Sequence, residues 1–316
     1  MTVYIIKRIL MLVPILFGVS LLVYSILYLS PGDPAALVLG EQATAEQIAT
    51  KQEEMGLNDP FIVQYFNYMK GYVTGDFGVS YKTGRPVSEE IFAVFPNTVI
   101  LTVSAMAIAL LIALPTGIIA ATKQYSILDN VTTILALLGV SMPNFWLGLM
   151  LIAFIAVNVD FIPTSQMNTN SFPELVASLI LPAITLGTGG AAIIMRMTRS
   201  SMLEVVRQDY IRTARAKGVS EKKVIRKHAL SNALIPIVTV VGLQFGYLLG
   251  GAVLTETVFA WPGMGKYMVD AIKTRDIPVV LAAVIFMAVV FTVVNLLVDI
   301  LYAFLDPRIK AKYKKG

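Results

Sequence analysis

Six stretches of this chain are apolar over a length that suits a bilayer, and no other feature limits its fold so severely. They run Ile9–Leu29, Asn97–Thr122, Val131–Val157, Leu175–Met197, Ala233–Thr255 and Val279–Leu305. Each approaches or exceeds the ~20 residues a helix needs to cross the hydrocarbon core. Lipid supplies no hydrogen-bond partners, so such segments fold as helices that satisfy their own backbone. The expected fold class is an all-α membrane protein with six transmembrane helices. Of the 316 residues, 56% are hydrophobic and only 14% charged, against about a quarter charged in soluble domains. The chain has no cysteine, which excludes a disulfide framework and thiolate metal sites. Its one histidine, His228, excludes a multi-histidine metal cluster.

Lys and Arg set the orientation. Eighteen of the 25 fall at the N-terminus (Lys7, Arg8), at Lys123, between Arg196 and Lys227, and after Asp306; seven fall on the other side. Both termini are therefore expected in the cytoplasm. The net charge of +5 reads as this cytoplasmic excess and not as a nucleic-acid surface. The first apolar block is too long for a signal-peptide core, and no clear small-residue cleavage site follows it, so a retained first span is expected. The chain divides into residues 1–30 (N-terminus and first span), 31–96 (external loop), 97–305 (a five-helix core) and 306–316 (a basic tail).

The external loop carries local order. Thr44 to Gln47 has the form of a capping box opening a short helix that ends near Gly56. Asp59-Pro60 reads as a cap before a first-turn proline. Ile62, Tyr65, Phe66 and Met69 then recur at helical spacing. Gly71, Gly75, Gly78 and Gly84 read as turns. Ser88-Glu89-Glu90 reads as the start of a helix lying on the membrane before the second span. The loop is either a lid packed on its own spans or a docking platform for an external partner.

Between the fourth and fifth spans lies a basic loop that is also built to be helical. Met202–Lys217 contains neither Gly nor Pro, so one helix is allowed throughout. Gly218 is placed to end it in left-handed geometry. Ser220 is placed to cap a second helix, Glu221–Leu230, ending on an exposed corner. Thr213, Ala214 and Ala216 make a small face that suits a groove on a partner.

Other candidates are structural or path-lining. Gly242, Gly246 and Gly250 recur every fourth residue and predict close helix packing, within the chain or against a second subunit. Pro143, Asn144 and Trp146 break the third span, and Pro182 with Gly187, Gly189 and Gly190 loosen the fourth; broken helices expose backbone to a path. Asn295 and Asp299 share a face of the last span, where a carboxylate points to function or to pairing with the basic loop. Glu256, at the mouth of the fifth span, is a candidate partner for a cargo amine. Trp261–Gly265 reads as a turn and Lys266–Thr274 as a short helix. Gly265-Lys266 lacks the preceding glycine of a phosphate loop, so no ATP site is visible.

The segment YIRTARAKGVSEKKVIRKHALSNALIP, Tyr210–Pro236, resembles the signature loop of ATP-binding-cassette importer permeases. Arg212-Thr213-Ala214 stand in the Glu-Ala-Ala positions and Gly218 is the signature glycine. The glutamate and a later proline of the general pattern are missing, as in the peptide-permease branch. SPGDPA (30–35), GDFGVS (75–80), SMPNFW (141–146), MRMTRSSMLEV (195–205) and DPRI (306–309) also resemble that branch, in its B-type subunit. The resemblance implies the type I importer permease fold and import of di- or oligopeptides, with relatives handling nickel or glutathione. It implies a C-type permease partner, two cytoplasmic ATPase subunits that hold ATP and Mg, an external binding protein, and a prokaryotic plasma membrane. It implies ATPase coupling through Tyr210, Arg212, Thr213, Ala214, Arg215, Ala216, Lys217, Gly218 and His228. A secondary carrier would need ion-coupling charges or inverted repeats, and a hydrolase a buried nucleophile and base; neither pattern is seen.

Overall fold

The computed structural model describes residues 2–40 and 42–305. The basic tail, with Asp306–Ile309 and Lys310–Lys315, lies outside the described residues. In chain order the helices are α1 (Thr2–Leu29), α2 (Pro34–Leu39), α3 (Ala45–Glu54), α4 (Phe61–Thr74), α5 (Val87–Thr122), α6 (Ile127–Ser141) and α7 (Asn144–Phe154). There follow α8 (Phe172–Val206), α9 (Asp209–Ala216), α10 (Glu221–Lys223), a π-helical turn Val224–Ala229, α11 (Leu230–Val258), α12 (Met264–Lys273) and α13 (Ile277–Leu305). Among the described residues five helices are long and apolar enough to cross a membrane, and six if the bent pair α6–α7 counts as one span.

Several boundaries differ from the sequence expectation. Ser88-Glu89-Glu90 open no separate surface helix: α5 runs unbroken from Val87 to Thr122. Asp59 offers no cap, since Pro60 precedes α4 with no side-chain cap bond, and the Asp59 carbonyl instead accepts from Gln64. Gly71 lies inside α4, where an added Cβ would sit 2.7 Å from the Asp76 carbonyl oxygen. Pro182 and its glycines do not loosen α8, which is continuous. The capping box at Thr44 and Gln47 is present.

The chain forms two compact units. One comprises Val99–Trp261 and the described residues from Val293 to Leu305; the other comprises Thr2–Thr98 and Pro262–Thr292. In the first, α8 is the central element, packed on α6, α7 and α11. Its contact with α5 is made by small residues. Ala105, Ala109 and Ala113 are fully buried at a spacing of four, and Gly117 continues the row. A Cβ on Gly187 would lie 2.5 Å from the Ala105 carbonyl oxygen, and one on Gly117 2.8 Å from that of Met195. Lipid tails are as apolar as the side chains, so such helices cohere through close van der Waals approach. At one end of α8, Arg199 donates to Asp129 through Nε at 2.7 Å and Nη2 at 2.9 Å. Asp129 also accepts from the Tyr125 amide, and so fixes the start of α6.

In the second unit the segment between α1 and α5 is tied to its own helices. Tyr24 is fully buried among Phe61, Tyr65 and Tyr68 and donates to Gln64. Ser80 Oγ donates to buried Asp276 at 2.6 Å, and Tyr72 donates to the Pro278 carbonyl. Burial raises the Tyr68 phenol and pushes Tyr81 up to about 12, so both remain neutral hydrogen-bonding groups at neutral pH. Arg275 holds the left-handed conformation (φ 54°). Its guanidinium donates to the carbonyls of Ser30 and Gly32 and to the Ser30 hydroxyl.

The α5–α8 contact yields a stability prediction. Gly187→Ala forces a methyl against backbone, and overpacking of this kind costs about 1–3 kcal/mol. Gly18→Ala, with nothing within 4 Å of the new atom, provides the control. Thermal unfolding of the purified protein is expected to show a lowered Tm for the first variant and none for the second; equal Tm values would refute the contact.

Candidate functional site

The connection from α8 to α11 is a folded element. Helix α8 stops at Val206, and Arg207-Gln208 turn the chain before α9 begins. The single Met202–Lys217 helix expected from the sequence is therefore two helices, a break that no Gly or Pro announces. Ile211 is fully buried and anchors α9 in the core around α8. Around it Tyr210, Arg212, Thr213, Arg215, Ala216 and Lys217 are exposed and Ala214 is half-buried.

The end of α9 is fixed by its backbone. Gly218 has φ +76°, its amide bonds the Arg215 carbonyl, and the Val219 amide bonds that of Ala214. This is the paired-bond helix stop that a left-handed residue permits. Across the bend, Arg215 donates twice to Glu221, at 3.0 and 2.7 Å. Both side chains are over a third exposed, so this pair sets geometry more than stability. Ser220 makes no side-chain cap bond. The helix after it does not end on a corner. It passes through the π-helical turn, anchored by fully buried Val224 and Ala229, and continues into α11. No Gly or Pro stops it, and Pro236 comes too late. His228, half-buried, lies in that turn. Helix α9 is thus joined to α8 on one side and, through the π-helical turn, to α11 on the other.

The third span is broken where the sequence places the break. α6 and α7 meet at 106°, with Met142 in extended geometry before Pro143, as a residue preceding proline prefers. The bend opens a cleft of about 690 Å³ in the first unit, bounded by Pro143, Asn144, Gly189, Gln244, Tyr247 and Gly250 among others. No charged side chain lines it. A polar residue within an apolar span is itself a signal, and Gln244 was legible on that ground; Tyr247 was not.

The remaining candidates disperse. Trp146 is half-exposed but does not line the cleft. Glu256 is fully buried in this structure and does not line the cleft. Asn295 and Asp299 are half-buried on α13, away from the cleft. The glycine repeat of α11 divides into three environments. An added Cβ on Gly242 would collide with Val298 of α13, Gly246 is buried, and Gly250 has open space and faces the cleft.

Comparison with known proteins accounts for nearly the whole chain. Residues 113–311 match the family described as "Binding-protein-dependent transport system inner membrane component", and residues 1–102 match the N-terminal family of such membrane components. The dipeptide transport system permease protein DppB of Alkalihalophilus pseudofirmus is 47% identical over 98% of this chain and 100% of its own length. The oligopeptide transport system permease protein AppB of Bacillus subtilis is 45% identical over 98% and 100%. The glutathione transport system permease protein GsiC of Escherichia coli K12 is 43% identical over 98% and 99%. Among solved structures, the MetNI methionine ABC transporter aligns with a TM-score of 0.57 at 18% identity, over 69% of this chain and 96% of the matched chain, which is a likeness of fold. Both halves of the sequence and the helical core agree: the chain belongs to the family of inner-membrane components of binding-protein-dependent transport systems, with the fold of an ATP-binding-cassette importer permease.

Proposed function

We propose that this chain is the B-type half of the pore of an ATP-driven importer of di- or oligopeptides in a prokaryotic plasma membrane, with both termini cytoplasmic. A homologous C-type permease completes the pore. Two cytoplasmic ATPase subunits bind ATP and Mg, and an external binding protein delivers cargo; this chain changes no bond. Residues 31–96 form the external platform and residues 97–305 the pore core, with coupling through 202–230. The named relatives transport dipeptides, oligopeptides and glutathione. Glutathione is itself a short peptide, so the class they share is the short peptide.

One observation carries the mechanism: an exposed short helix whose only buried side chain, Ile211, is seated in the core and whose two ends continue into membrane helices. Moving an access equilibrium from 1:99 to 99:1 takes roughly 5.5 kcal/mol of differential binding, and a stiff link transmits this where a loose loop would not. Tyr210, Arg212, Thr213 and Ala216 present the surface an ATPase cleft would grip. The cleft at the α6–α7 bend, with Pro143, Asn144 and Gln244, forms this chain's part of the path. Its lack of charged lining speaks against an ion-coupled carrier, which needs titratable or ion-binding groups along the route.

Gly218→Val places a β-branched residue at φ +76°, a conformation that costs non-glycine residues roughly 1–2 kcal/mol. In the reconstituted complex it is expected to lower the number of peptides imported per ATP hydrolysed. Gly218→Asn, which tolerates that conformation, is expected to recover most of the ratio. An unchanged ratio for the valine variant would reject coupling through this bend.

Helix α3 buries no residue, and Glu46 and Glu53, seven apart and both exposed, share one face. As a docking face, it would lose electrostatic steering on charge reversal. Glu46→Lys/Glu53→Lys is expected to raise the binding-protein concentration needed for half-maximal ATPase stimulation. An unshifted titration curve would assign α3 no docking role.

A further inference from the structure

The face of α8 that the core leaves open carries a second cleft, of about 510 Å³, lined by Thr133, Arg196, Arg199 and Ser200 between the apolar walls Met195 and Met197. Ile193, 40% exposed, lines this cleft and the 690 Å³ cleft at the α6–α7 bend alike. Gly189, Ile193, Arg196 and Ser200 follow one another at intervals of four, three and four residues, so a single helical face joins the two spaces. No acidic side chain lines either one.

The two arginines differ in charge balance. The Arg199 guanidinium is engaged twice by Asp129. Arg196, one turn earlier, is exposed and has no carboxylate partner among the described residues. Among the described residues it is the uncompensated cation on this face. A carboxylate entering such a space loses water and needs a charged, hydrogen-bonded partner. A guanidinium provides one in bidentate geometry and stays protonated. The methionines beside it adapt to varied shapes.

We propose that Arg196 receives the C-terminal carboxylate of a peptide moving through the pore, so that this half of the pore selects for a free acid end and is indifferent to side chains. The inference rests on the peptide-import reading above. A phospholipid phosphate is the competing anion; the wall shared with the uncharged cleft at Ile193 favours cargo.

The test compares trialanine with trialanine amide. Binding of each is measured on the solubilised permease–ATPase complex without the binding protein, which removes selection at that earlier step. Uptake is measured in proteoliposomes with the binding protein present. The wild-type complex is expected to bind the acid roughly tenfold more tightly than the amide, the scale of one charge-assisted hydrogen bond. Arg196→Gln is expected to abolish that preference and to lower acid uptake, and Arg196→Lys to restore part of both. No acid preference in the wild type, or a preference that survives Arg196→Gln, overturns the proposal. So does loss of a co-purifying anionic phospholipid from Arg196→Gln with the acid preference intact. If the wild-type complex with its binding protein takes up neither peptide on ATP, the peptide-import reading itself fails, and the inference falls with it.

Discussion

Where α8 crosses α5, backbone meets backbone with only hydrogens between, and the rest of the first unit is arranged about that contact. Gly187 against the Ala105 carbonyl and Gly117 against that of Met195 leave no room for any larger residue. In water, burial of apolar area would hold two such helices together. In lipid that driving force vanishes, and dispersion at short range takes its place. Continuity of α8 follows: a kink at Pro182 would lift these glycines from their partners, and Pro182 is itself buried in the packing.

The continuous α8 supports two irregular parts of the chain. Against its middle, α6 and α7 bend by 106° and open a cleft without breaking the helix they lean on. At its end, α8 stops at Val206, and the chain turns and returns through a π-helical turn into α11. The Asp129–Arg199 pair ties the first turn of α6 to the stretch of α8 that precedes this turn, so the bent pair and the α8–α11 connection share one support. An ATPase pulling on α9 would act on elements that also bound the cleft.

Apolar length and proline placement made much of this legible from residues alone. The six spans, the break at Pro143, the left-handed Gly218 and the capping box at Thr44 each follow from a local rule with a single governing cause. The misreadings came where local signals were silent or permissive. Nothing in Met202–Lys217 forbids one helix, yet burial of Ile211 in the core requires a turn first. Glu89 and Glu90 resemble a helix start, which they are, but the helix simply continues through the bilayer. The alanine row of α5 carries the same spacing-of-four signal as the glycines of α11, and alanine is too common for the pattern to stand out. The burial of Glu256 was not legible, because burial depends on tertiary neighbours. By sequence Arg196 is one more positive-inside charge; in the structure Arg199 has the Asp129 carboxylate and Arg196 has none among the described residues.

The clamp of Arg275 on Ser30 and Gly32 bears on how the chain matures. The bonded groups are separated by 245 and 243 residues, and Gly32 leaves only 3.1 Å between a would-be Cβ and the guanidinium. During synthesis the first helix enters the bilayer long before its fastener has left the ribosome. Until then the Ser30–Gly32 end of that helix lacks this anchorage. Assembly of the second unit is therefore a late event, completed only as the last span is delivered.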